Sequence, residues 1–483
     1  MLMYRSLKIN LSLISGILLA VFFPAASGYG QQQSHTYRYS YFEPGEGRQF
    51  IPRGFVMNTE DLLGTIRYTK KDYQRAARMG ANFQVIRLDM ARLGAWPGYT
   101  LDSTYLKELD RMVSLGKTFG MYTGFKMTVY RVRKSDEKGI WSRLWQNKDN
   151  TQDVVIRGWK HLWKRYKEEP YVYSYDLLNE PHKGDVEGSY DEVQEKYLVP
   201  LYRRMIDSLR AVDTTKWALY QPILMEKNPD RAKQKIPFWE TKENIRRPKI
   251  MFAPHMYQLN LPAIRPTLHR YQKEAELSGA PLFLGEWGSA TYDLTDRDIS
   301  EQQKYGDAYR ETARITDSLG MATIKAWFLG SRWKGSNPVG KFTWAIFQDS
   351  VAVGTAERKY ITDIIARPFP SKVAGRLKHF NYGFAGRHLK VKFSYEKEKG
   401  NTEVFVGANR HYPDGFTLSV NNGTWKFVYD PLQKDRLFQA ASEEETGSPG
   451  ITWDDDLQKI VIKNLPRDHV DYVLDIYPGV LQY

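Results

Sequence analysis

The chain has 483 residues and no cysteine. That absence excludes disulfide staples, a thiol nucleophile, cysteine-ligated metal sites and the lipid-attachment cysteine of a bacterial lipoprotein. Histidine is scarce, at 9 residues, and none falls in an HExxH-type spacing. A metal site is therefore not expected. Acidic residues are outnumbered: 70 Lys and Arg stand against 56 Asp and Glu, a net charge of +14. Such a balance can serve nucleic acid, anionic lipid or acidic substrates. Yet the positive residues form no long block, and neither helix-turn-helix nor zinc-finger spacing occurs. Only composition speaks for nucleic acid, so no nucleic-acid partner is expected, and a solvated basic surface is.

Long apolar runs are also missing, with one exception. Arg5 and Lys8 precede a mostly apolar stretch over residues 9–23, followed by Pro24-Ala25-Ala26-Ser27-Gly28. A charged head, a short apolar run and small residues predict an export signal over 1–28, and hence a periplasmic, secreted or cell-surface protein. The run is short for a stop-transfer helix. A peripheral contact with a membrane or glycan surface stays open, and no motif encodes an oligomeric state.

What is present is a hydrophobic content of 42% and an aromatic content of 14%, with 13 Trp and 32 Tyr. From residue 50 the chain alternates short apolar runs with helical periodicity. Strands are predicted at 50–57, 83–89, 121–127, 172–180, 217–223, 250–257, 281–286 and 321–329. Helices are predicted at 69–79, 101–119, 153–169, 190–212, 264–277 and 299–319. Trp159 and Trp163, four residues apart, read as packing within their helix. The helix after the fifth strand is weakly written. Eight such units over about 280 residues predict a (β/α)8 barrel of the TIM type across 45–368. Near Arg367-Pro368-Phe369-Pro370 the rhythm changes to short alternating runs separated by turn residues, which predicts a small C-terminal β-sandwich over 371–483.

Two of the predicted strands end in a lone carboxylate. Tyr175-Asp176-Leu177-Leu178-Asn179-Glu180-Pro181 stops at a proline, which has no N–H and biases the preceding residue to extended backbone. The other, Phe283-Leu284-Gly285-Glu286-Trp287-Gly288, lies 106 residues on. Barrel enzymes keep their chemistry at these strand tips. Cleaving a glycosidic bond needs a proton for the leaving oxygen and a stabiliser for a positively charged sugar, and two carboxylates in different environments supply both. Other tips carry fitting groups. Asn179 can donate to a sugar 2-hydroxyl, and Arg87 on strand two can keep a nearby carboxylate ionised. On strand six, Tyr257 can hydrogen-bond the nucleophile and His255 can orient it or the sugar. Trp327, on strand eight, can floor a sugar subsite.

Taken together, Asn-Glu-Pro, the distal Gly-Glu-Trp-Gly, Arg87, His255-Met256-Tyr257 and Trp327 resemble glycoside hydrolase family 5, over residues 50–330. The tail, with Arg367-Pro368-Phe369-Pro370 and Val373-Ala374-Gly375, resembles the endoglycoceramidase and steryl-glucosidase branch. The resemblance implies a retaining enzyme of the Asn-Glu clan with Glu180 as acid/base and Glu286 as nucleophile, and no metal or organic cofactor. It implies a β-linked oligo- or polysaccharide or a glycolipid as substrate. The alternatives are an endoglycoceramidase-like glycolipid hydrolase, or a catalytically weak exported glycan-binding protein. One departure stands out. Where many members carry Asp-x-His at the end of strand three, this chain has Lys126 and Thr128. Either Lys126, with Arg131 and Arg133, contacts an anionic or unusually substituted glycan, or it pairs with a buried acid. Trp141, Leu144 and Trp145, in the stretch after strand three, are the candidates for an apolar patch facing a lipid.

Overall fold

The computed structural model describes residues 38–45, 47–58, 60–61, 64–65, 67–94, 100–128, 137–223, 245–292, 299–329, 342–347, 357–421, 423–433, 437–439 and 449–479. The expected export signal, Arg131, Arg133 and the weakly written unit after strand five (224–244) lie outside them.

Eight parallel strands form the centre: β1 (Arg53–Asn58), β2 (Phe83–Asp89), β3 (Tyr122–Thr128), β4 (Val172–Asp176), β5 (Trp217–Tyr220), β6 in two pieces (Ile250–Phe252 and His255–Met256), β7 (Phe283–Trp287) and β8 (Ala322–Lys325). Each pairs with the next, β8 pairs back with β1, and the two pieces of β6 join β5 to β7. Bonds from the Phe252 and Gly285 amides to the Pro281 and Pro254 carbonyls carry the ladder across that break. This is the expected barrel. Its interior is filled by alternate strand residues, among them Val56, Val85, Leu219, Met251, Phe283 and Ile324. The other strand faces pack on the helices in a second, larger core. Burial on both faces explains why the strands read as apolar runs.

The helices fall close to prediction: α1 (Lys70–Ala77), α2 (Ser103–Thr118), α4 (Thr151–Tyr166), α6 (Leu261–Ser278) and α7 (Ile299–Leu319). Asp102 caps α2 by accepting from the Thr104 and Tyr105 amides at 2.9 and 3.0 Å. Two differences have local causes. The helix expected over 190–212 breaks into Tyr190–Val193, a π turn at Gln194–Leu198, and α5 (Val199–Arg210). Pro200 has no N–H for the ladder, so the turn before it widens. The stretch after β3 forms an additional helix, α3 (Glu137–Trp145), whose Trp141, Leu144 and Trp145 are buried in the outer core. They form no exposed apolar patch. Trp159 and Trp163 are fully buried in α4, as packing residues should be.

The C-terminal region is two antiparallel sheets over a shared core. The six-stranded sheet runs from Gly375–Gly383 to Leu437–Gln439, and the five-stranded sheet contains Phe369–Val373 and Lys459–Lys463. The fifth strand of the latter is Gln49–Phe50, paired with Lys372 and Val373. Residues 50–57 therefore do not form one strand. The first part joins the C-terminal sheet, and the barrel strand begins at Arg53.

Charged groups clamp this junction. Glu43 binds Arg48 at 2.7 Å and Lys372 at 3.0 Å, and accepts from the Tyr122 hydroxyl at 2.9 Å. Burial alone would raise the Glu43 carboxyl, but Arg48 and Lys372 outweigh it and hold it at about 2. A depressed carboxyl stabilises the fold above its unfolded value near 4.5, and that stabilisation is lost as pH falls towards 2. Glu43→Gln is therefore expected to cost about 2 kcal/mol at pH 7 and to flatten the loss of stability between roughly pH 5 and 2. Denaturant unfolding at a series of pH values checks this.

Candidate active site

The parallel register brings charged side chains to one level inside the barrel mouth. Arg87 on β2 pairs with Lys126 on β3, and Lys126 with Asp176 on β4. Directly paired residues point to the same face, so the three converge. Opposite them, His255 on β6 is in register with Glu286 on β7.

Glu286 reaches this interior through a β-bulge. Leu284 and Trp287 both pack in the outer core, and the β7–β8 register shifts between them. Strict alternation would send Glu286 outward with Leu284, but the extra residue turns it in. Gly288 must then be glycine. Its φ is +102°, and a Cβ there would come within 2.6 Å of the Tyr309 hydroxyl and 2.8 Å of Lys325 Cε.

Glu286 is buried, and each of its oxygens has a donor. Lys126 Nζ lies 2.9 Å from Oε1, and the Tyr257 hydroxyl donates to Oε2 at 2.5 Å. Burial by itself would raise the carboxyl. Lys126 above all, with Arg87 and the Tyr257 bond, outweighs it and holds the group ionised well below the ordinary carboxylate range. The expected contact of Tyr257 is present. The expected cation is shared: Arg87, whose Nε donates to Thr128 Oγ1 at 3.0 Å, contributes less than Lys126.

Glu180 occupies the tip of β4 with a φ of +48°. That left-handed backbone costs a non-glycine residue of order 1 kcal/mol or more and persists where the surroundings enforce it. Gln221 does so here: its Oε1 accepts from the Glu180 amide at 3.0 Å, and its own main chain is held by the Tyr202 hydroxyl. Asn179, almost fully buried, donates its amide to the Met127 carbonyl at 3.0 Å and so locks the tips of β3 and β4 together. The Glu180 side chain is 20% exposed against 7% for Glu286, and its Oε1 lies 2.8 Å from His255 Nδ1. His255, expected at the nucleophile or the sugar, thus faces Glu180. Its Nε2 is 4.0 Å from Glu286 Oε1.

Lys126 has no arginine partners among the described residues. It is enclosed by acids and His255, with Asp176 Oδ2 at 3.6 Å, so the buried-acid reading describes it better than the glycan-contact one. Burial raises the Asp176 carboxyl against the pull of Lys126, and Gln221 Nε2 donates to its Oδ2 at 2.7 Å. Trp327 has a φ of +59° and stands 6.4 Å, ring to ring, from Trp344, which meets Tyr257 edge-on at 4.6 Å. These three rings make one aromatic wall.

Asp176, Gln221 and Trp344 were not foreseen. Asp176 was hidden in a strand that reads as an apolar run, and only the pairing register shows that it faces Lys126. Gln221 acts on the backbone of another strand. Trp344 lies well beyond the end of β8, and its carbonyl accepts from the buried Lys325 Nζ at 3.1 Å.

The family described as "Cellulase (glycosyl hydrolase family 5)" matches residues 47–324, and the "Glycoside hydrolase family 5 C-terminal domain" matches residues 367–452. An endoglycoceramidase of Hydra vulgaris is 24% identical over 299 residues, a match spanning 58% of this chain and about half the length of that relative. Among solved structures, endo-glycoceramidase II from Rhodococcus sp. superposes with a TM-score of 0.63 at 17% identity, covering 91% of this chain and 100% of that one. An endogalactoceramidase gives 0.63 at 14% identity, covering 90% and 98%. Sterylglucosidase 1 from Cryptococcus neoformans gives 0.61 at 10% identity, covering 90% and 96%. At these identities the superpositions establish a shared fold, whereas the first family match covers more than half of the chain, which therefore belongs to glycosyl hydrolase family 5.

Proposed function

We propose that the protein is a retaining β-glycosidase, with Glu286 as nucleophile and Glu180 as acid/base. The observation that carries this reading is that one imidazole spans the two carboxylates: His255 meets Glu180 through Nδ1 and approaches Glu286 through Nε2. Their environments separate their roles. Glu286 is enclosed by Lys126, Tyr257 and the field of Arg87, which keep a nucleophile ionised. Glu180 is the more exposed and meets an imidazole rather than an ammonium at Oε1, as suits a group that gains and loses a proton. In the first step Glu286 bonds to the anomeric carbon while the Glu180 proton passes to the leaving oxygen. In the second, Glu180 takes a proton from water, whose oxygen displaces Glu286. One Rhodococcus endo-glycoceramidase II structure is described as a lactosyl-enzyme intermediate, the species this route forms in that protein. Asn179 and Arg87 bind the sugar, and the wall of Tyr257, Trp344 and Trp327 floors its subsite.

The substrate we propose is a glycolipid β-glycoside. The solved structures with this two-part architecture include an endo-glycoceramidase, one complex of which is described as holding ganglioside GM3, and a sterylglucosidase. Two exposed apolar residues on the rim fit a lipid. Leu261 is the first residue of α6 and Ile299 of α7, the helices that follow β6 and β7, and they are 44% and 72% exposed. Export through the N-terminal signal would place the enzyme where such substrates are met.

The test is hydrolysis of a panel of glycosphingolipids, steryl glucosides, β-linked oligosaccharides and uronic-acid glycans, with NMR of the first anomer released. The expected result is turnover of a lipid glycoside with the β-anomer appearing first. The α-anomer first would overturn retention. Turnover confined to oligosaccharides would overturn the lipid assignment, and glycan binding without turnover would favour a binding protein.

A further inference from the structure

Lys126 touches the surroundings of both carboxylates. Its side chain is 1% exposed, and three acceptors lie in reach of its three protons: Glu286 Oε1 at 2.9 Å, His255 Nε2 at 3.0 Å and the Gly285 carbonyl at 3.4 Å. Asp176 Oδ2, at 3.6 Å, completes its surroundings. An ammonium donates and cannot accept. His255 Nε2 must therefore be the bare nitrogen, which leaves the ring proton on Nδ1, 2.8 Å from Glu180 Oε1. The Tyr257 hydroxyl agrees with this assignment. Its proton goes to Glu286 Oε2 at 2.5 Å, so towards Nδ1, 3.4 Å away, it presents an oxygen that can only accept.

Resting on the reading of Glu180 as acid/base, we propose that Lys126 is a positioning residue that locks His255 in the Nδ1–H tautomer and so decides where Glu180 carries its proton. With Nδ1–H donating to Oε1, the acidic proton of Glu180 is confined to Oε2. That proton passes from Oε2 to the glycosidic oxygen as the bond to the anomeric carbon breaks. Nδ1–H then stabilises the carboxylate until Oε2 takes a proton from the attacking water, and His255 keeps its own proton throughout. In the opposite tautomer Nδ1 would be a bare acceptor. Glu180 would turn its proton to Nδ1, away from the substrate.

Without Lys126, bond cleavage should suffer most where it needs a proton. The experiment compares wild type, Lys126→Met and Lys126→Gln on aryl β-glycosides of the sugar that the wild type hydrolyses best. Leaving groups range from 2,4-dinitrophenol, which departs unprotonated, to 4-methoxyphenol, which does not. Lys126→Met is expected to lower kcat/KM on both, because the ammonium also keeps Glu286 ionised, and the loss with 4-methoxyphenol should exceed that with dinitrophenol by roughly 10-fold or more. Equal losses on both would overturn the proposal, since a general disturbance of packing or of Glu286 acts on both alike. Lys126→Gln still offers an amide donor to Nε2, so its dependence on the leaving group should stay close to wild type. A steep dependence in that variant would also count against the proposal.

Nitrogen NMR of the full chain labelled with 15N-histidine reads the tautomer without turnover, with His255 assigned by its disappearance in His255→Phe. A protonated Nδ1 and a bare Nε2 are expected in the wild type. A protonated Nε2 would overturn the assignment, even if Lys126→Met fails to fold. Wild type inactive on every glycoside but showing the expected tautomer would overturn the glycosidase reading and leave the tautomer lock standing.

Discussion

Glu286→Ala is expected to lower kcat on the natural glycoside by roughly 10⁵-fold, the scale of losing a covalent nucleophile. Under the proposed double displacement the loss should fall on kcat and kcat/KM together, because the bond to the anomeric carbon would exist only beyond the ground state. The cavity left by the side chain is faced by Lys126 and Tyr257, both donors. A small anion should bind there. Added azide is expected to restore turnover of a dinitrophenyl β-glycoside and to yield the α-glycosyl azide, since the anion attacks from the side that Glu286 vacated. With Glu180→Ala, azide would enter from the opposite face and give the β-azide. NMR of the two azides assigns both carboxylates in one experiment, and the reverse pairing would exchange their roles.

The largest expected effect on stability lies far from this chemistry. Asp317, in α7, accepts from Arg367 Nε at 2.7 Å and Nη2 at 2.5 Å, and from Arg53 Nη2 at 2.5 Å. All three side chains are nearly inaccessible, and the Arg53 guanidinium lies 3.9 Å from the centre of the Phe369 ring. The cluster joins the first barrel strand, the helix that leads into the eighth and the start of the C-terminal sheets. One carboxylate serves two guanidiniums, and burial together with Arg367 lowers Arg53 to about 9. Asp317→Asn would leave two buried cations without a counter-charge. It is expected to destabilise by about 3–5 kcal/mol, the cost of breaking a buried ion pair from one side. Asp207→Asn, which removes the exposed partner of Arg247, should cost under about 1 kcal/mol. Thermal unfolding of the two variants against wild type measures the contrast, and equal shifts would show that the buried cluster has no special weight.

Much of the site was legible because its signals are local. A strand ending in Asn-Glu-Pro, a second ending in Gly-Glu-Trp-Gly, and the alternation of apolar runs with helical periodicity are properties of neighbouring residues, and each has a direct physical reading. The bond between Tyr257 and Glu286 followed from placing both residues on adjacent strand tips. The misreadings share a different origin. Phe50 looks continuous with β1 by hydrophobicity, yet it pairs with a strand more than 300 residues away. Trp141, Leu144 and Trp145 look available for a lipid but are buried in the core, because the segment that carries them folds as a helix against the barrel.

By itself the sequence determined the eight strand–helix units, the change to β-structure after Arg367 and the two carboxylates at strand ends, since periodicity, turn chemistry and strand ends are written within short windows. Only the tertiary structure decided which way those groups point. The bulge after Leu284 turns Glu286 inward, the β2–β3–β4 register stacks Arg87, Lys126 and Asp176, and His255 faces Glu180. Bulges, registers and the partner of a buried ammonium are set by contacts between strands distant in the chain, and side-chain patterns within one strand do not encode them.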